Sequence, residues 1–393
     1  MDISSNYIDF LLKIALQVEK GESLTINVNK EHVEFATELA HRSAELTFHT
    51  TNIVIIEKGK VDSVIPIAPL TEELKSTPKS SLLLRIDDTE NRFQRLSDNE
   101  QEITKELSLI QECGNLASPQ LNRPIAPWAV VAVPGPLWAK RVYKNENKVI
   151  QLWNDFGKIL SLNNEGWHSW WINYLSKREE TLFHLNNLLN STYHIKGENI
   201  DFKCKTAKEA LWSNHQYKID NRFYTPYIPI ERYSTLLDSS STEGVISLKS
   251  SFLLFNSEVE NCHLELKGGK VRAYSATKGE TALRLALSYD EGSSTASELS
   301  LVDRKVPLAS YNQEFGYSGF DTNRRSTLLI GCGETSHLKS LKSYTDEKEL
   351  QSETGCNIST IKFRVPLDLN IDVFAIDSEG SEIPIMHNGD LLT

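Results

Sequence analysis

Two apolar runs, SLTINV (Ser23–Val28) and NIVIIE (residues 52–57), flank the segment EHVEFATELAHRSAE, in which Val33, Ala36, Leu39 and Ala40 recur at helical spacing. A parallel strand pair needs a crossover of a dozen or more residues, and this segment supplies a helical one. The order predicts a βαβ unit and therefore an α/β opening domain. LLLRID (residues 82–87) and WAVVAVP (residues 128–134) read as further strands, with a helix over 99–113 between them. A helix over residues 6–20 precedes the unit, with Gly21 placed to cap it.

From residue 136 to about 190 the pattern is helical and aromatic-rich, and Trp167, Trp170 and Trp171 read as packing residues. The pattern changes near Ser191. Short strands and turns follow, the clearest being CHLELKGGKVRAYSA, where Gly268-Gly269 suits a two-residue hairpin turn. One helix, over residues 279–290, interrupts them. The expected organisation is an α/β domain over 1–190 with a helical connection, then a β-rich α+β domain over 191–393.

A formal charge of −11 without a Lys/Arg cluster argues against a nucleic-acid surface. No apolar run reaches eighteen residues, so no membrane-spanning helix is expected and no membrane partner. The N-terminal stretch carries Asp2 and no basic segment, unlike a secretory signal. Five scattered cysteines without a CxxC pair suggest neither a zinc ribbon nor a disulfide framework. Together these features predict a cytoplasmic protein.

Several residues stand out for chemistry. Glu260 shares a strand face with Cys262, Leu264 and Leu266, where an acid either reaches water at the strand end or is held in a pocket. Glu298 falls in TASELSLV, read as lying between a helix and a short strand. His337 lies in GCGETSHL, five residues after Cys332. Spacing alone does not connect these residues, and no HExxH motif is present. In NISTIKFRVP, Lys362 and Arg364 share one strand face about 7 Å apart, opposite Ile361, Phe363 and Val365. By itself that pattern describes a solvated face.

The segment WAVVAVPGPLWAKRVY (residues 128–143) resembles the W-x-V-V-A-V-P-x-P-x-W-A-K signature of the thermophilic-type metalloaminopeptidases, the family of aminopeptidases T and S and PepS. KGESLTINV, IPIERY at 228–233 (where the family has N-I-P-T-E-E-V), the KGGKV hairpin, YDEG and SEGSEIPIMHNGDL fit in order along nearly the whole chain. The resemblance implies an aminopeptidase T-like fold and a homodimer enclosing a cavity. It also implies two divalent metal ions held by carboxylates and histidines, which activate water against the first peptide bond. Position by position, it places Glu260 and Glu298 on ligand glutamates, His337 on the histidine of D-E-N-A-S-C-H and Tyr344 on the active-site tyrosine. Cys332 stands where that motif has a glutamate. The family's N-x-S-x-x-H-x-D reads N-I-S-T-I-K-F-R here, so Lys362 and Arg364 replace a histidine and an aspartate.

Cationic Lys and Arg offer no lone pair to a metal. The resemblance therefore implies a divergent aminopeptidase-family protein without the dinuclear site, with no cofactor, binding or transforming an amino-acid- or peptide-like substrate. Lys362 and Arg364 would neutralise Glu260 and Glu298. Arg364 would clamp a carboxylate, Lys362 would act as base or nucleophile, and Cys332 with His337 and Glu298 would support acyl transfer. One alternative is an active aminopeptidase with a single zinc, cobalt or manganese ion on Glu260, Glu298 and His337, helped by Asp368 or His263. A second is a non-catalytic binding subunit.

Overall fold

The computed structural model describes residues 2–57, 59–74, 76–87, 89, 99–116, 126–188, 191–255, 257–311, 313–339 and 347–392. Its first sheet is built from β1 (Ser23–Val28), β2 (Thr51–Glu57), β3 (Lys60–Ile67), β4 (Ser81–Ile86) and β5 (Trp128–Val131), in the order β3-β2-β1-β4-β5. β1 pairs in parallel with β2 and β4, and β4 with β5; the edge strand β3 runs antiparallel. The crossover between β1 and β2 is the helix Val33–Thr47, which buries Phe35, Ala36, Leu39 and Ala40.

The first helix departs from its sequence reading. It begins at Ile3, widens into a π-helical turn over Leu11–Ala15 and stops at Leu16, short of Gly21. Tertiary contacts explain the early stop. The wider turn buries Leu11, Leu12, Ile14, Ala15 and Leu16 together. The carbonyls of Ala15 and Gln17 then accept bonds from Thr225 N (2.8 Å) and Arg222 (3.1 Å) instead of continuing a helix. Gly21, at φ 91°, serves the turn into β1.

Beyond residue 190 the strands are β6 (Thr192–Lys196), β7 (Ile200–Lys205), β8 (Tyr217–Ile219), β9 (Arg222–Tyr224), β10 (Tyr233–Leu236), β11 (Glu243–Ser247), β12 (Phe252–Leu254), β13 (Ser257–Val259), β14 (His263–Lys267), β15 (Lys270–Ser275), β16 (Ala296–Leu301), β17 (Thr327–Gly331), β18 (Lys362–Pro366), β19 (Asp372–Ile376), β20 (Glu382–His387) and β21 (Asp390–Leu391). Eight of them form one sheet, β15-β14-β11-β7-β6-β19-β20-β21, and four form another, β10-β16-β17-β18. Gly268 and Gly269, with φ of 60° and 74°, make the β14–β15 turn. Besides the helix Glu280–Leu287, helical segments occur at Ser318–Asp321 and Glu347–Thr354, which the strand-dominated pattern did not suggest.

The two larger cores among the described residues both draw on residues from either side of position 190. Phe315, Tyr317 and Phe320 pack with Trp138, Phe156 and Trp171, and Trp138 Nε1 donates to Phe315 O at 2.9 Å. Ile103 and Leu107 pack with the β-rich core. No helix among the described residues is long and apolar enough to cross a membrane.

Candidate active site

The four-stranded sheet has two chemically opposite faces. Leu299, Leu301, Leu328, Ile330, Phe363 and Val365 belong to the core shared with the eight-stranded sheet. On the other face Leu236, Glu298, Leu329 and Arg364 stand in one row across the strands, and Ser234, Ser300, Thr327 and Pro366 in the next. A bulge between Ala296 and Glu298 makes this possible. It lets Ala296 join the apolar core while Glu298 points to the polar side, a re-aiming that bulges commonly perform next to active sites.

Glu298 is thus a strand residue, not a helix-end acid, and it is fully buried. Arg364 donates to Glu298 Oε1 at 2.8 Å, and to Ser300 Oγ (2.8 Å) and Thr327 Oγ1 (3.4 Å). Burial pushes the Glu298 carboxyl up, but the opposing effects, led by the charge of Arg364 and joined by its hydrogen bond, outweigh it and hold the group well below the usual carboxylate range.

A line of hydroxyls extends from this pair. Ser300 Oγ donates to Glu298 Oε1 at 3.1 Å, Ser234 Oγ lies 2.8 Å from Ser300 Oγ, and His215 Nε2 lies 2.7 Å from Ser234 Oγ. The carboxylate can only accept, which orders the protons along the line. Ser300 gives its hydrogen to Glu298, so Ser234 gives its own to Ser300, and His215 Nε2–H donates to Ser234. His215 Nδ1 is left with its lone pair, buried and without a hydrogen-bond partner. Burial, followed by Arg232 and His337, pushes the His215 pKa far down, so the ring is neutral.

His337 sits on a short 3-10 turn, Thr335–His337, tied back by Leu211 N to His337 O at 2.7 Å. Its ring stands 5.1 Å from that of His215, edge to face, and both ring nitrogens are buried without a partner. Glu334 completes the group, holding a hydrogen bond from Tyr217 Oη. Burial raises its carboxyl, but His337, Lys362 and the Tyr217 bond together bring it below the usual value. One ligand atom from each of His215, Glu334 and His337 lies within 4.8 Å of the others. Gly331 and Gly333 admit this turn: a Cβ on Gly331 (φ 99°) would meet Ile361 O at 2.2 Å, and one on Gly333 would meet Leu236 Cδ2 at 2.4 Å.

The residues singled out from the sequence separate. Glu298, His337 and Arg364 come together. Lys362 opens β18 with its side chain exposed, and it acts on Glu334 across the turn. Glu260 is half-exposed, faces Lys278 Nζ at 3.5 Å and joins no ligand group among the described residues. Among the described residues the ligand atoms that lie close together are those of His215, Glu334 and His337, whereas Arg364 engages Glu298 and Lys278 engages Glu260. Cys332 is buried with Sγ 3.5 Å from Gly333 O, outside the imidazole group. His263 bonds Ser247 Oγ at 2.7 Å on the eight-stranded sheet, and Asp368 lies among Glu198 and Lys249. Tyr344 lies outside the described residues.

The sequence reading missed His215, Tyr217, Arg232 and Glu334. His215 has no periodic signal; it occupies a loop at φ 60°, a conformation few non-glycine residues adopt. Arg232 was accessible, since the second glutamate of N-I-P-T-E-E-V falls on it when IPIERY is laid against that motif. Glu334 lies two residues beyond the position of the family motif's glutamate, now Cys332.

Two imidazoles and a carboxylate that offer ligand atoms within 4.8 Å of one another, beside a second carboxylate, form a donor set suited to one divalent cation. The description "Thermophilic metalloprotease (M29)" matches residues 3–391. Aminopeptidase AmpS of Bacillus subtilis is 27% identical over 274 residues, 67% of this chain and 65% of AmpS. Aminopeptidase T of Thermus aquaticus is 24% identical over 267 residues, 67% of this chain and 64% of that protein. The matched segments thus span a little under two thirds of these relatives. The wild-type AmpT structure from Thermus thermophilus superposes with a TM-score of 0.78 at 19% identity, covering 100% of this chain and 99% of that one. A 2,5-dihydroxypyridine dioxygenase from Pseudomonas putida KT2440 gives a TM-score of 0.50 at 11% identity, over 100% and 97%. The chain belongs to the M29 family of metallopeptidases and has the aminopeptidase T fold, an α/β part joined to a β-rich part.

Proposed function

We propose that this chain is an aminopeptidase-like hydrolase of peptide- or amino-acid-like amides, in which one divalent cation held by His215, Glu334 and His337 replaces the dinuclear centre. The observation that carries this reading is the proton order of the serine line, which leaves the Nδ1 lone pair of a neutral, buried His215 unused beside the unpartnered ring of His337. A His2Glu set suits zinc with an open coordination position, and two histidines with one carboxylate also suit iron(II). Such an ion supplies polarisation of an amide carbonyl and a more acidic bound water.

The chain's own groups have separable roles in this reading. Tyr217 fixes the orientation of Glu334, and Ser234 fixes the tautomer and tilt of His215, as outer partners of metal ligands do. Glu298 Oε2, buried and unpartnered, is the acceptor available to a substrate ammonium or N–H group. Arg364 is a positioning residue that keeps Glu298 ionised. This reading uses no second metal position, since Arg364 already holds Glu298 Oε1. Lys362 lies at the rim, and Tyr344 and Cys332 are assigned no step.

A metal-free binding site is the second reading, favoured by the two arginines beside Glu298. Elemental analysis after incubation with zinc, manganese, cobalt or iron(II) and gel filtration separates the two. One equivalent is expected in the native protein and almost none in His337→Ala, with hydrolysis of aminoacyl amides sensitive to chelator. No bound metal would leave the metal-free reading standing, and no turnover of any aminoacyl amide would remove the hydrolase.

A further inference from the structure

The polar face of the four-stranded sheet carries an excess of cations. Arg232 lies in the field of Arg364, Glu298 and Glu334, Arg364 acts on Glu298, and Lys362 acts on Glu334. Arg364 is paired with Glu298. Arg232 is not comparably satisfied. It is 9% exposed, and among the described residues it makes one side-chain hydrogen bond, to Thr322 Oγ1 at 2.9 Å, and no ion pair; its Nε is buried without a partner.

Arg178 and Arg324 likewise have a buried, unpartnered Nε, but their terminal nitrogens carry more bonds than the single one of Arg232. Arg178 donates to the carbonyls of Glu231, Asn214 and Arg232. Arg324 donates to the carbonyls of Tyr311 and Gln313 and pairs with Glu314. Arg325 pairs with Glu314 at 3.0 Å. A buried guanidinium lacking an anion costs free energy that a bound anion recovers. The groups around Arg232 are those of the candidate site: Arg364, Glu298, Glu334 and Tyr227, with His215 feeling its charge in turn. The anion would therefore lie beside the three ligand side chains.

We infer that Arg232, with Arg364 beside it and Lys362 at the rim, binds a carboxylate of the substrate, so that the preferred substrate is an acidic peptide-like amide with its carboxylate a few bonds from the amide carbonyl. The term substrate rests on the hydrolase reading; the carboxylate site does not. The planar fork of an arginine matches a carboxylate in two parallel hydrogen bonds. Two sources of that carboxylate fit, the side chain of an acidic first residue and the free C-terminus of a dipeptide.

Calorimetry on the full chain tests this with reduced-bond dipeptides, in which a methylene replaces the amide carbonyl and no turnover occurs. One pair is reduced Leu-Gly acid against its C-terminal amide. The other is reduced Asp-Gly amide against reduced Asn-Gly amide. At least one acid is expected to bind ten-fold or more tighter than its partner, and which pair does so identifies the source. In Arg232→Gln the preference should fall to within two-fold, and Arg232→Lys should retain part of it. Should Arg232→Gln not fold, Lys362→Gln at the exposed rim is expected to reduce the preference about three-fold.

Equal affinities within both pairs, or a preference unchanged in a folded Arg232→Gln, would overturn the inference. Tighter binding of inorganic phosphate than of either acid would also overturn it. Equal turnover of acidic and neutral aminoacyl amides without any binding preference removes the carboxylate site and leaves the hydrolase. A carboxylate preference without turnover of any amide does the reverse.

Discussion

Glu260 and Glu298 looked alike in the sequence, each a glutamate matched to a metal-ligand position, yet the fold places them in opposite surroundings. Glu260 is half-exposed at the edge of the β-rich part and faces an equally half-exposed Lys278. Glu298 is fully buried in the second strand of a sheet, held by Arg364 and Ser300. Water screens the first pair, so it contributes little. The second has no water to fall back on, and losing either partner strands a charge in a dry interior. A carboxylate acquires a chemical role here through what encloses it.

The largest test removes Arg364. Arg364→Met should cost about 3–5 kcal/mol in urea unfolding, the expected result of leaving one member of a buried pair alone. A cost below about 1 kcal/mol would erase the distinction between the two glutamates. The pair also sets a pH dependence. The folded carboxyl lies below its unfolded value, so its stabilisation is fully present above pH about 4.5 and is lost as pH falls toward the folded value. The stability gap between native protein and Arg364→Met should therefore narrow in acid, where the carboxyl is protonated in both; a gap that widens in acid would contradict the pairing.

Glu231 sharpens the comparison as a buried acid whose neighbours do not compensate its burial. Burial pushes its carboxyl up to about 7, against Arg178 and the Tyr174 hydroxyl. A raised folded value means stability is present below the unfolded value, 4.5, and is lost as pH rises through about 7. Each tenfold change in a group's acidity on folding corresponds to about 1.4 kcal/mol, so Glu231→Gln should remove a loss of about 3 kcal/mol across that window. Thermal unfolding of both proteins at pH 4.5 and 8 checks this; parallel curves would show that Glu231 does not titrate there. The smallest effect belongs to Glu260→Gln, expected within about 0.5 kcal/mol of native with metal content unchanged. Loss of metal in that variant would return Glu260 to the site.

Much of the scaffold was legible because it rests on local pattern. Ser23–Val28 and Thr51–Glu57 pair in parallel around their helix as the spacing required, and Gly268-Gly269 turned its hairpin. The first helix was read too long because its end depends on bonds from Thr225 and Arg222, some 200 residues away. The site was legible only in part. Strand alternation correctly set Lys362 and Arg364 on one face, and the family motif singled out His337. It could not show that a bulge turns Glu298 toward Arg364, or that a loop at positive φ brings His215 against His337.

By itself, then, the sequence determined the parallel α/β opening, the strand-rich second half and the family. The tertiary structure alone decided which acids are buried, which arginine pairs with Glu298, and that Arg232 makes no ion pair among the described residues. The physical reason is range. Strands, helices and turns follow from steric and hydrophobic patterns a few residues long, whereas the charge state and partners of a side chain depend on the dielectric and neighbours that distant segments bring around it.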